Sequence, residues 1–113
     1  MKKTACAFVF ILSLYANALA HPPSDIKISY EPATGILQAI VVHNVSTPDS
    51  HYIKKVDIGL NGKEIAELKF FRQDNDLAQP VSYAVPNAKP GDTISVEAYC
   101  SISGTLTKEI KVQ

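Results

Sequence analysis

The chain has 113 residues, with 11 basic and 11 acidic side chains and a formal net charge of zero. No basic cluster interleaved with aromatics is present to bind nucleic acid, and no amphipathic basic helix to lie on a membrane. Two cysteines and three histidines are few enough to follow one by one.

The N-terminus reads as a secretory signal. Lys2 and Lys3 form a basic head, Ala5 to Tyr15 is almost wholly apolar, and Ala18-Leu19-Ala20 places small residues where a signal peptidase reads. The apolar run is about a dozen residues, short of the roughly 20 needed to span a hydrocarbon core. Residues 1–20 are therefore expected to be removed, leaving residues 21–113 as one domain in the periplasm or outside the cell. His21 at the new terminus, where a lipoprotein needs cysteine, argues against a lipid anchor. Losing two lysines from the 11:11 balance gives a mature charge of about −2. The roughly 93 residues left suffice for one modest core and are too few for two.

Seven segments rich in Val, Ile, Thr and Tyr follow: Ile26–Tyr30, Ile36–His43, Tyr52–Leu60, Glu64–Phe71, Val81–Val85, Thr93–Ser101 and Thr105–Val112. Glu31 to Gly35 and Asn61-Gly62 read as hairpin turns, the latter preceded by Val56, Ile58 and Leu60 in alternation. Pro86, Pro90 and Gly91 break the chain before the sixth segment. No stretch has a helical period. The pattern predicts an all-β, immunoglobulin-like β-sandwich of about seven strands, without the Cys and Trp signature of antibody domains.

Signal removal takes Cys6 with it and leaves Cys100 alone in an oxidising compartment, so no internal disulfide can form. Ile94, Val96, Ala98 and Cys100 share one face of their strand, which points the thiol to the core side near its rim. Such a thiol is either a small buried hydrophobe or a metal-bound or redox-active group. His21, His43 and His51 stand at strand ends or at the new terminus, where side chains from separate loops can converge. An isolated histidine is more often a solvated polar residue.

The segment His51-Tyr52-Ile53-Lys54-Lys55-Val56-Asp57-Ile58, with Pro80-Val81-Ser82-Tyr83 and Tyr99-Cys100-Ser101-Ile102-Ser103-Gly104 later, resembles the iron domain of superoxide reductases, the desulfoferrodoxin and neelaredoxin proteins. The resemblance runs from His21 to Val112. It implies an immunoglobulin-like sandwich and a mononuclear iron, with four equatorial His nitrogens and one axial Cys sulfur, that reduces superoxide to peroxide at the expense of an electron donor. Under it, Cys100 is the axial ligand, His51 is equatorial and His21 lies near the N-terminal ligand. Two family ligand positions hold Val45 and Ser103 instead, with His43 two residues from the former. Ser103 opens a coordination position and shifts the potential, which weighs against efficient superoxide reduction.

Thiolate and imidazole also suit copper and zinc. A terminal His21 could chelate through its α-amino and ring nitrogens together, which favours a copper site of His21, His51 and Cys100 joined by His43. A second resemblance belongs to another class: Ile58-Gly59-Leu60-Asn61-Gly62-Lys63-Glu64-Ile65 with Pro90-Gly91-Asp92-Thr93 is similar to part of the Z subunit of the periplasmic thiosulfate-oxidation carrier. That resemblance implies a metal-free partner in a protein complex. A Cys-His nucleophile lacks an orienting group. Asp74, Asn75 and Asp76 lack the spacing of a calcium loop and read as an exposed turn. Asn44-Val45-Ser46 is a glycosylation sequon of little weight in a bacterial-type product. Phe70, Phe71, Tyr83 and Tyr99 are expected in core and cross-strand packing.

Overall fold

A computed structural model describes residues 21–113; the signal segment read at residues 1–20 lies outside the described residues. Seven strands are present: β1 (Asp25–Glu31), β2 (Ile36–Val42), β3 (Ile53–Leu60), β4 (Lys63–Lys69), β5 (Ala78–Ala84), β6 (Thr93–Cys100) and β7 (Thr105–Lys111). They form two antiparallel sheets, ordered β1-β2-β5 and β4-β3-β6-β7, and the described residues include no helix.

The alternation in the strands decides which face is buried. In β6, Ile94, Val96, Ala98 and Cys100 are buried while their neighbours are half-exposed. In β3, Val56 and Ile58 are fully buried, and in β2 Leu37, Ala39 and Val41 supply the opposing layer. Together with Ile26, Ile53 and Val81 these residues form one continuous core between the sheets. Burying such side chains is worth about 1.5–3 kcal/mol each against leaving them in water.

The turns follow their chemistry. Asn61 and Gly62 both have positive φ, 53° and 84°, which is the backbone that a tight two-residue hairpin between right-twisted strands demands. Gly35, with φ of 75°, closes the β1–β2 turn by donating its N–H to the Glu31 carbonyl at 2.8 Å. Strand β5 starts at Ala78, three residues before the expected Val81. It includes Pro80 opposite Ile40, which is tolerated because β5 is an edge strand and a missing N–H there need not face a partner.

Phe71 does not pack as expected. It is 82% exposed, because β4 ends at Lys69 and the chain bends away, leaving Phe70 alone to pack on the core. Tyr83 also rests against the core, whereas Tyr99 lies on the outer face beneath Lys55 Nζ, 4.2 Å from its ring centroid.

The connectivity sorts the loops. Strands β2, β4 and β6 end where β1, β3, β5 and β7 begin, so residues 21–24, 43–52, 70–77 and 101–104 gather at one end of the sandwich. The opposite end holds the two hairpin turns and the β5–β6 connection. Truncation of Ile58, deep in the core and away from that loop cluster, is expected to lower unfolding free energy by about 2–5 kcal/mol in Ile58→Ala. Urea titration with an unchanged m-value would check it.

Candidate metal centre

Each histidine reaches the loop end by a different local device. His43 is the first residue beyond β2 and donates its backbone N–H to the Leu77 carbonyl at 2.9 Å, so it stays in line with the sheet and is fully buried. His51 closes a tight turn in which its own N–H and that of Ser50 both donate to the Thr47 carbonyl, at 2.9 and 3.0 Å. His21 is carried by a short strap. Ser24 anchors that strap through its backbone N–H to the Val42 carbonyl at 2.9 Å, and Pro23 is buried.

The strap also packs on the β6–β7 turn. Gly104 has a φ of 96°, and a Cβ placed on it would lie 2.7 Å from Pro22 Cβ. Glycine is thus required twice, for the left-handed backbone and for the approach of Pro22.

These devices bring three rings together. The centroids of His21 and His43 are 4.8 Å apart, those of His21 and His51 4.8 Å, and those of His43 and His51 4.9 Å. One ligand atom from each lies within 4.8 Å of the other two. Metal–imidazole bonds of about 2.0–2.1 Å keep paired donors no more than about 4 Å apart, so small side-chain rotations would close the three on one ion. His21 is exposed, His51 half-buried and His43 buried, which leaves the cluster open to solvent from one side.

A residue that the sequence did not single out holds this arrangement. Gln73, fully buried, donates from Nε2 to the His43 carbonyl at 2.7 Å and to the Asn75 carbonyl at 3.0 Å. Its Oε1 accepts from the Ile53 N–H at 3.2 Å and lies 2.9 Å from His43 Nδ1. With Oε1 already an acceptor, His43 Nδ1 must carry the proton and donate. Nε2 is then the unprotonated nitrogen; it stands 3.4 Å from the His21 carbonyl oxygen, a long contact that a metal ion on Nε2 would replace. This is the tautomer in which a histidine binds metal, with its other nitrogen fixed by a hydrogen bond.

His51 supplies the observation that points to a ligand. Its Nε2 is buried and has no hydrogen-bond partner, an arrangement that costs free energy unless something occupies the lone pair or proton. Burial first, then the neighbouring His43 and His21, holds its pKa below the ordinary 6.5. A neutral imidazole is the form that binds metal.

Cys100 is 3% exposed, and its Sγ accepts the Ile102 N–H at 3.4 Å. It is not a member of the histidine group. The thiol lies on the buried face of β6 with Ala98 and Val96, whereas His43 and His51 belong to loops and His21 precedes β1. Ser103, at the position of a family ligand, is exposed. Asp74, Asn75 and Asp76 form an exposed turn, as expected.

A second group, Asp57, Glu64 and Glu67, lies on the outer face of the four-stranded sheet. Lys55 Nζ already stands 3.6 Å from Asp57 and 3.8 Å from Glu67, so the chain provides its own cation there.

Replacing Gln73 with Leu strands the His43 Nδ1–H, the Ile53 N–H and the His43 carbonyl in a buried place. Each stranded group costs about 1–3 kcal/mol, so Gln73→Leu is expected to lose at least about 3 kcal/mol in urea unfolding and to weaken metal binding by about 10–100-fold. The lowered His51 pKa sets a pH dependence. The unfolded chain takes up the proton near 6.5 while the native one resists it, so His51's contribution is complete above that value and is lost as pH falls through the lowered native value. The metal-free protein should show a urea midpoint that drops below pH 6.5, and His51→Gln should flatten that part of the profile.

The described chain matches no protein-family model, no curated protein and no solved structure, so the chemistry of the three-histidine cluster rests on its own geometry.

Proposed function

We propose that the protein is an exported, redox-associated metal-binding domain in which His21, His43 and His51 hold one transition-metal ion. The observation that carries this reading is the convergence of three imidazoles, one of which, His51, has a buried Nε2 with no hydrogen-bond partner. Gln73 presets the His43 tautomer and orientation, while His21, on the solvent side, leaves a path for a small diffusible species. A redox-active ion bound there would exchange single electrons with such a species. Under the resemblance to superoxide reductases that species is superoxide, the metal is iron and Cys100 is its axial ligand.

The donor chemistry bears on the choice of metal. Three imidazole nitrogens form the group and the Cys100 thiol stands outside it, which favours copper over iron.

Elemental analysis of protein isolated from the periplasm without an affinity tag tests the reading, alongside His51→Ala and Cys100→Ser. Near-stoichiometric iron or copper that is lost in His51→Ala is the expected result. Retention of the metal in Cys100→Ser would assign it to the histidines, and its loss there would restore the thiolate. Folded wild-type protein that is metal-free and takes up none of Fe²⁺, Cu⁺ or Cu²⁺ would refute the proposal.

A further inference from the structure

We infer that removal of residues 1–20 completes the metal centre, because it frees the α-amino nitrogen of His21 to join the three imidazoles as a fourth donor and so raises the affinity for Cu²⁺ above that of the precursor. This inference rests on the three-histidine reading and on the signal reading of the N-terminus.

The chemistry of the step is simple. Water hydrolyses the Ala20–His21 peptide bond under a signal peptidase; Ala20 keeps the acyl group as a carboxylate and His21 receives the amine. In the precursor that nitrogen is an amide, whose lone pair is delocalised into the carbonyl and is a poor metal donor. Cleavage turns it into an amine.

Several observations place the main chain of residue 21 beside the site. The backbone of residue 21, and not only its ring, lies against the cluster, since its carbonyl oxygen is 3.4 Å from His43 Nε2. The ring turns its Nδ1 toward its own main chain, 3.1 Å from the Pro22 carbonyl. The carbonyl can only accept, so Nδ1 is the donor in this contact, and a chelate with the α-nitrogen closes when the metal takes that contact's place. Pro22 follows, and it has no N–H. An ion bound by the amine therefore cannot recruit the next backbone nitrogen, as copper does in ordinary peptides, and is left to the amine and the imidazoles. Packing of Pro22 on Gly104 and the bond from Ser24 to Val42 fix the strap that carries all of this.

The donor set that results is wholly nitrogen. It suits Cu²⁺, which prefers tetragonal nitrogen coordination and stands highest among the divalent first-row ions in affinity. Amine and ring belong to one residue already seated at the site, so the second bond forms at high effective concentration.

Two proteins decide the matter: the chain beginning at His21, and the same chain with its α-amino nitrogen acetylated. Both keep every side chain, and both are titrated with Cu²⁺ against a competing chelator. The free amine is expected to bind about 100-fold more tightly, in line with the gain from an intramolecular second contact. The electron paramagnetic resonance spectra of the two complexes should differ as a nitrogen donor is lost. Equal affinities with identical spectra would overturn the inference while leaving the three-histidine site intact. Failure of both proteins to bind would overturn the site itself. Mass spectrometry of the exported product should find His21 as the first residue, and any other terminus would also overturn the inference.

Discussion

One buried amide governs the loop end of this sandwich. Gln73 ties the end of β2, the start of β3 and the β4–β5 loop into a single junction, with three of its four hydrogen bonds buried and the fourth, to Asn75, part-buried. An unsatisfied member of such a junction is costly, whereas a complete junction tolerates only one arrangement. The direction of the His43 ring follows from that completeness. So does the separation of the two sheets at this end, since Gln73 bonds to residues of both. The aliphatic core holds the sheets together without choosing among nearby registers of the loops, and the polar junction makes that choice.

The strands were readable because their residues carry a period of two against a dry interior. Boundaries agreed to within a residue or two except in β5, where Pro80 reads as a stop and is instead accommodated at an edge. Phe71 was misjudged for a related reason: an aromatic next to another aromatic looks like core, but the chain had already left the sheet. Gln73 could not have been found. It sits among Arg72, Asp74 and Asn75, all exposed, and only the folded backbone shows that its side chain turns inward. The meeting of the histidines was partly legible, since each stood at a strand end or at the expected mature terminus. Which of those ends coincide depends on strand order, and strand order is a long-range property.

Parity shows the strength and the reach of the sequence reading at Cys100. The alternation along β6 puts the thiol on the core face, where it is found. Periodicity along one strand does not say, however, which loop residues gather near its end. The imidazole group is assembled from loop backbone, the thiol from sheet geometry, and the two sets of constraints are independent of each other.

The strap that carries His21 has a kinetic consequence. Its docking rests on the Ser24–Val42 hydrogen bond, the burial of Pro23 and the contact of Pro22 with Gly104. Once residues 1–20 are removed, as proposed, the strap is a terminal segment, and terminal segments with so few anchors open at a small fraction of the free energy of global unfolding. The cluster can therefore lose and regain one of its three rings while the core stays shut. Entry and departure of a ligand would be timed by this fraying, and thermal resistance of the sandwich would be a poor guide to how long the ligand resides.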